Sequence, residues 1–347
     1  MSKKRYIIPI FVPHLGCPHD CIFCNQRKIT NHKDAVDTEE TIANIERHLS
    51  YFPESNNPKE IAFFGGSFTA IDRDAMVAYL SIAKDYKERG IIQEIRLSTR
   101  PDCIDREILD ILKYHRVDII ELGVQSMVDE ILEANNRGHD SKSVERASKL
   151  IKEYGFTLGH QIMPGLYKDS YEAAIYTAKK SIELGPDIVR IYPTLVIKDT
   201  YLEFLYINGL YKPLSLEEAI SLSKDLLLMY KESGINVIRI GLQVTENINL
   251  GEDVVAGPFH PSIRQLVEQE IYLDRISQTI RDNKLEESKD MTIYVDKRLM
   301  SYVVGNKGAN KKKLMDRFSF KKLSFRNIDD KDIYLADSGL KYEVGEL

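Results

Sequence analysis

From the N-terminus to about residue 240 the chain alternates between two hydrophobic patterns. Short β-branched and aliphatic runs recur at Tyr6–Val12, Glu60–Phe64, Glu94–Ser98, Asp118–Gly123, Thr157–Met163, Asp187–Tyr192 and Asn236–Ile240. Between them lie longer stretches in which apolar residues return every three or four positions: Thr38–Tyr51, Asp72–Arg89, Asp105–Tyr114, Ser141–Tyr154, Ser170–Glu183 and Ser215–Lys231. The first pattern suits strands and the second amphipathic helices. Asp72, Ser141 and Ser215 stand where a side-chain oxygen can cap a helix start, and Ser215 has Glu218 three residues on. Repeated strand–helix units predict an α/β fold with parallel strands and outer helices, as a barrel, partial barrel or open sheet. In all of these, ligands sit at the C-terminal strand ends.

The pattern changes beyond residue 260. A long helical pattern runs from Pro261 to Asn283, and the polar stretch Lys284–Asp290 reads as a linker. A small α+β unit follows: strand Thr292–Val295, helix Lys297–Tyr302, a glycine turn, helix Asn310–Phe318 and strand Lys322–Phe325. The expected domains are therefore 1–285 and 290–347. The apolar stretch Tyr6–Leu15 is broken by Pro9, Pro13 and His14, too short and interrupted for a membrane span, so the expected location is cytoplasmic, away from membranes. Formal net charge is −5, but Lys297–Arg326 holds ten Lys or Arg against the single acid Asp316. A basic end on an acidic body points to a polyanion partner, or to a solvated lysine-rich helix face.

Three of the four cysteines fall within eight residues, Cys17-Pro-His-Asp-Cys21-Ile-Phe-Cys24, directly after the first strand. A disulfide framework uses a dispersed, even set, so this is a ligand cluster for a soft metal centre. Spacing leaves two centres open. One is zinc, with His14 or His19 as fourth ligand. The other is an iron–sulfur cluster with one iron lacking a protein ligand. After the second strand comes Phe63-Phe64-Gly65-Gly66-Ser67-Phe68, whose glycines let backbone approach a ligand closely; alone, it is a strand-to-helix turn.

More motifs follow in order: Ser98-Thr99-Arg100-Pro101-Asp102, Gly123-Val124-Gln125-Ser126, Asn136-Arg137-Gly138-His139, Met163-Pro164-Gly165-Leu166 and Arg190-Ile191-Tyr192-Pro193-Thr194-Leu195-Val196. With the cysteine motif and Phe23 before its last cysteine, this series resembles the radical S-adenosylmethionine (SAM) superfamily over residues 5–270. Within it, the series is similar to the radical domain of Elongator catalytic subunits and, more loosely, to the oxygen-independent coproporphyrinogen dehydrogenases. The resemblance implies a parallel (βα)-repeat partial barrel and a [4Fe-4S] cluster on Cys17, Cys21 and Cys24. It implies SAM against Gly65, Gly66 and Ser67, with Gln125 at the ribose and Arg137 at the carboxylate. Ser98 stands where relatives carry Glu for the ribose. The implied chemistry is reductive cleavage of SAM to a 5′-deoxyadenosyl radical, with electrons from a flavodoxin- or ferredoxin-type donor. The bland alternative for Gln125 and Arg137 is a surface polar pair. Lys168, Arg190, Tyr192 and Lys198 lie near strand ends and are candidates to reach substrate. Gly257-Pro258-Phe259-His260-Pro261 reads as a lid or a helix-start turn, and Cys103 as a small buried residue.

In the basic region, Gly305-Asn306-Lys307-Gly308 separates two short helices and leads into Lys311, Lys312 and Lys313. This resembles the KH module, in which a GXXG loop clamps nucleic-acid backbone. A helical hairpin with a solvated lysine face is the other reading. Together, the two resemblances imply a tRNA-modifying enzyme directed at a wobble uridine. Elongator catalytic subunits carry an acetyltransferase domain after the radical domain; none follows here before Leu347, so acetyl-CoA is not expected. Two alternatives stand beside this: a radical SAM enzyme on a small molecule such as a porphyrin or cofactor precursor, and a non-catalytic iron–sulfur RNA-binding protein.

Overall fold

A computed structural model of the chain describes residues 5–12, 17, 19–25, 37–53, 56–242, 251–328, 333–337 and 340–344. The chain forms two compact units, one from residues 1–219 and 226–259, the other from 220–225 and 260–347.

In the first unit seven parallel strands lie side by side in chain order: β1 (Tyr6–Val12), β2 (Lys59–Gly65), β3 (Glu94–Thr99), β4 (Ile119–Gln125), β5 (Thr157–Ile162), β6 (Ile188–Ile191) and β8 (Asn236–Ile240). A short antiparallel pair joins β7 (Val196–Ile197) to β9 (Val254–Ala256). The connecting helices are α1 (Thr38–Tyr51), α2 (Arg73–Glu88), α3 (Arg106–Tyr114), α4 (Asp129–Ala134), α5 (Ser141–Glu153), α6 (Tyr171–Leu184), α7 (Tyr201–Ile207) and α8 (Leu216–Glu232). Sequential parallel order with helical crossovers is the α/β arrangement expected from the alternating pattern, which left barrel, partial barrel and open sheet open; it is the partial barrel that the resemblance implies, and all seven expected strands are present. Alternate residues such as Ile61, Phe63, Ile95, Leu97, Ile120 and Leu122 are fully buried. Phe63 packs on Phe68 and on Tyr79 of α2, with ring centroids at 4.5 and 5.8 Å.

The other face of the sheet is buried but charged. Arg96 donates to both Glu60 oxygens at 3.0 and 3.1 Å and also to Glu121. Arg190 donates to Glu121 through Nε and Nη2 at 2.6 and 3.0 Å, and Gln161 donates to it at 2.8 Å. Burial pushes the Glu121 carboxyl up, yet Arg190 and Arg96 outweigh this and hold it below the usual carboxylate range.

Helix starts follow their capping chemistry. Asp72 accepts from the Asp74 and Ala75 amides, and Ser215 forms a reciprocal capping box with Glu218. At α5 the cap is Asp140 rather than Ser141: its Oδ1 accepts from the Ser143 amide at 2.8 Å, where a carboxylate suits the positive helix end.

The second unit holds α9 (Ile263–Asp282), β10 (Asp290–Asp296), α10 (Met300–Val304), α11 (Ala309–Phe318), β11 (Lys322–Ile328), β12 (Ile333–Asp337) and β13 (Leu340–Val344), in sheet order β11-β10-β12-β13. Its α+β character is as expected, with the β12–β13 hairpin in addition. Tyr272, Leu273, Ile276 and Ile280 of α9 pack into the same core as Ile293, Val303, Leu314 and Leu323. The compact unit therefore begins near residue 260, upstream of the expected Lys284–Asp290 linker, where Leu285 is buried and Asp290 already opens β10.

Candidate functional site

The site forms at the C-terminal ends of β1 to β4. Val12 pairs with Gly65 in the parallel register, so the cysteine loop and the Gly-Gly-Ser turn leave the sheet side by side. The Gly66 amide donates to the Val12 carbonyl at 3.4 Å, and the Ser67 amide to Cys17 Sγ at 3.4 Å. Ser67 Oγ pairs with the Thr99 hydroxyl at 2.8 Å and accepts from the Arg100 amide at 3.1 Å, tying the ends of β2 and β3.

The cysteine loop is pinned from two directions. The Ile22 amide donates to the Asn135 carbonyl at 3.2 Å, and Asn136 Nδ2 to the Asp20 carbonyl at 2.6 Å. From the other side, the Leu202 amide donates to the Ile22 carbonyl at 2.8 Å, and Asn25 Nδ2 to the Lys198 carbonyl at 3.0 Å. Ile22 and Phe23 pack against Val196, Leu202, Leu205 and Tyr211, so the aromatic before Cys24 anchors the loop. Gly138 has φ +69°, and a Cβ there would overlap the His19 ring, so this crossing requires glycine.

At the end of β4 the register shifts between Gly123 and Gln125, and Gln125 takes φ +61°, a strained value for a non-glycine residue. Arg137 donates through Nη1 to Cys21 Sγ at 3.2 Å and through Nη2 to the Gly123 carbonyl at 2.8 Å. A Cβ at Gly123 would lie 3.2 Å from Arg137 Nη2 and 3.3 Å from the Gln125 amide, so the absent side chain makes room for both. Arg100 forms a two-bond pair with Asp102 at 3.0 Å each and donates to the Arg137 carbonyl. Among the described residues, five buried polar atoms here have no hydrogen-bond partner: Gln125 Oε1, Arg137 Nε, Arg100 Nη1 and both ring nitrogens of His139. Native interiors rarely leave such groups unsatisfied, and an acceptor beside two guanidinium donors fits a polar, partly anionic guest.

Burial pushes the Cys17 thiol up. The Ser67 amide pulls it down, Cys21 raises it, and Arg100 and Arg137 lower it. Burial, with Arg137 and Arg100 adding to it, holds His139 down at about 3, so its ring is neutral near pH 7. All four cysteines lack disulfides. Among the described residues, no three His, Cys, Asp or Glu side chains are grouped as they stand to hold a metal ion. The donor set on the loop is three thiols. His19 is packed on Gly138, and His14 lies outside the described residues.

The other expected residues are distributed differently. Ser98 lies opposite Glu121 in the β3–β4 register and accepts from Gln161 Nε2 at 3.2 Å. Arg190 and Tyr192 belong to the internal charged network, 3.3 Å apart, whereas the Lys168 ammonium sits 5.7 Å from the Tyr167 ring and Lys198 is exposed. Phe259 packs with Leu195, Ile197 and Val254, making its segment a packed turn. Cys103 is half-buried, and its carbonyl accepts from Thr69 Oγ1 at 2.7 Å. Arg100, Asp102 and His139 carried no assigned role. Arg100 and Asp102 directly follow β3, and His139 follows Gly138 in the connection after α4.

In the second unit the Gly305-Asn306-Lys307-Gly308 turn joins α10 to α11, with φ of +81°, +50° and +75° at Gly305, Lys307 and Gly308. Gln269 Oε1 accepts from the Asn306 amide at 2.7 Å, and buried Asn310 donates to the Gln269 carbonyl at 2.8 Å. A Cβ at Gly305 would stand 2.8 Å from the Asn310 amide. Lys307, Lys311 and Lys312 are exposed, while Lys313 pairs with Glu270 at 2.9 Å.

Residues 11–180 match the radical SAM superfamily, and residues 186–272 the radical SAM C-terminal domain. An uncharacterized protein of Methanocaldococcus jannaschii is 32% identical over 65% of this chain and 72% of its own length. The tRNA uridine(34) acetyltransferase of the same organism is 32% identical over 53% of this chain but only 37% of its own, so the chain spans little more than a third of that relative. The structure of an archaeal Elp3 from Methanocaldococcus infernus aligns with a TM-score of 0.61 at 21% identity, covering 80% of this chain and 64% of that one, which shows a shared fold. Among the described residues no helix is long and apolar enough to cross a membrane. Motif order, sheet topology and sequence similarity converge: the chain belongs to the radical SAM superfamily, in its Elongator-like branch.

Proposed function

We propose that this chain is a radical SAM enzyme that modifies tRNA at a wobble uridine. The observation that carries the proposal is the meeting of the three-cysteine loop with the unsatisfied atoms of Gln125, Arg137 and Arg100 at the strand ends. Cys17, Cys21 and Cys24 would hold the [4Fe-4S] cluster, since three thiolates are a soft donor set with one site left for a ligand. When bound, such a cluster supplies the electron that cleaves SAM into methionine and a 5′-deoxyadenosyl radical. Gly65, Gly66 and Ser67 would present backbone to the methionine end. Arg137 keeps Nε–H for the carboxylate, its other nitrogens being engaged by Cys21 and Gly123. Gln125 Oε1 would accept from a ribose hydroxyl. Ser98, already accepting from Gln161, keeps its O–H to donate at the ribose.

The tRNA substrate rests on the named relative and on the second unit. Gly305, Asn306, Lys307 and Gly308 form a braced turn beside the exposed Lys311 and Lys312, suited to phosphate backbone. Lys313 would add to it once released from Glu270. An extruded base is what a base-directed enzyme requires. The acetyl transfer in the relative's name is not part of the proposal.

Deleting the gene and comparing digested total tRNA by nucleoside mass spectrometry tests this. One modified uridine should vanish and its precursor accumulate, with complementation by the unsubstituted gene but not by Cys21→Ala. An unchanged nucleoside profile overturns the tRNA reading and favours a small-molecule substrate.

A further inference from the structure

The charged network on the inner face of the sheet orients two polar groups without using them up. Gln161 Nε2 donates to the Glu121 carboxylate at 2.8 Å and to Ser98 Oγ at 3.2 Å. A carboxylate only accepts, so the amide nitrogen is fixed on that side and Oε1 faces away from it. Among the described residues no donor meets that Oε1. Tyr192 accepts from Arg190 Nη1 at 3.3 Å, which leaves its own O–H to donate. Burial pushes the Tyr192 phenol up and outweighs the nearby Arg190, so the group stays protonated near neutral pH. Both residues are half-buried rather than sealed in the core. Arg190 links them, since it donates to Glu121 at 2.6 Å and to Tyr192, and its Cζ lies 5.7 Å from the centre of the Phe64 ring on β2.

The register places this pair beside the cofactor residues. Gly123, Gln161 and Arg190 form one row across β4, β5 and β6. Gly123 has no side chain, and the space above it is taken by Gln125 and Arg137, 3.2 to 3.3 Å from where a Cβ would stand. A guest held by Gln161 and Tyr192 therefore lies one strand from the unsatisfied Gln125 and Arg137 atoms. An acceptor next to a donor complements a cyclic imide, in which an N–H is flanked by carbonyls. Uracil has one N–H on its pairing edge, so the acceptor Gln161 Oε1 takes it and Tyr192 donates to a carbonyl beside it. Cytosine in the same position sets an unprotonated ring nitrogen against Oε1, acceptor against acceptor, which leaves both unpaired. Charged partners hold both groups in advance, so little ordering is lost on binding. Resting on the reading that the substrate is a tRNA uridine, we propose that Gln161 and Tyr192 read the imide edge of the base and reject cytosine.

The test compares the unsubstituted protein with Gln161→Met, of similar volume but without the amide, and with Tyr192→Phe, which lacks only the hydroxyl. Anaerobically reconstituted protein is incubated with SAM and dithionite, alone and with each of two tRNA transcripts that carry uridine or cytidine at the wobble position. 5′-Deoxyadenosine is measured per iron-loaded chain. Retention of uridine and cytidine 5′-monophosphates by the metal-free protein is measured in parallel by equilibrium dialysis. The unsubstituted protein should favour uridine over cytidine by about tenfold or more in transcript-dependent cleavage, and retain the uridine monophosphate better. In both variants that preference should fall toward one. A preference that persists in both variants overturns the proposal. An equal fall of every rate, with and without either transcript, also overturns it, since that is what a merely structural role beside Glu121 produces. Failure of the tRNA reading appears separately, as no stimulation of the unsubstituted protein by either transcript. The monophosphate comparison then decides, and equal retention of the two overturns the proposal.

Discussion

Cys21→Ala is expected to abolish the iron–sulfur centre and with it all SAM cleavage. Cys21 is 8% exposed, and its Sγ accepts from Arg137 at 3.2 Å. Two thiolates cannot replace three around a cluster, and among the described residues no His or acid is grouped with Cys17 and Cys24 to substitute. The same change removes one acceptor from a buried guanidinium, which costs about 1–3 kcal/mol in folding stability. The variant should therefore remain folded and empty. Iron and sulfide per chain after anaerobic reconstitution check this, with Cys103→Ala, expected to load fully, as the comparison. A fully loaded Cys21→Ala chain would remove this cysteine from the ligand set.

Glu121→Ala should be the most destabilising single change in the first unit. Glu121 is 1% exposed and accepts from Arg190, Arg96 and Gln161. Arg96 retains Glu60, but among the described residues Arg190 keeps only the Tyr192 hydroxyl as a hydrogen-bond partner, at 3.3 Å. Breaking a buried pair by removing one partner costs about 3–5 kcal/mol. Urea unfolding followed by circular dichroism would show the first unit's midpoint falling accordingly. The pH dependence has a definite sign. Because Glu121 is held below its ordinary value of 4.5 in the fold, its contribution is complete above that value and is lost as pH falls through the folded one. Glu121→Gln should therefore flatten part of the acid limb of stability. An acid limb identical to that of the unsubstituted protein would show that the network does not govern it.

The strands and long helices were legible because burial imposes period on sequence. Helices α4 and α7, of six and seven residues, are too short to show a period, and so were missed. Glu60, Arg96, Glu121 and Arg190 appear in sequence as isolated charges inside apolar runs. Each is explained only by a charge on another strand: Arg96 lies between Glu60 and Glu121 of the two adjacent strands, and Arg190 of β6 reaches Glu121 of β4 across β5. Helix α9 was recognised, but an amphipathic pattern does not name its partner, and its apolar face belongs to the second unit. The cysteine, glycine, Gln125 and Arg137 motifs were visible as motifs. Their convergence was not, since it depends on the bulge at Gly123 and on Arg137 crossing to Cys21. Asp140 displaced Ser141 as the cap because a carboxylate one position earlier meets the helix end better.

The most direct test of the central claim is anaerobic. The reconstituted protein is incubated with SAM, dithionite and total tRNA, and products are followed by liquid chromatography and mass spectrometry. The account predicts 5′-deoxyadenosine and methionine accumulating together, dependent on the reductant and absent from Cys21→Ala. A preparation with a full iron–sulfur complement and bound SAM, yet no 5′-deoxyadenosine above the control without reductant, would contradict it.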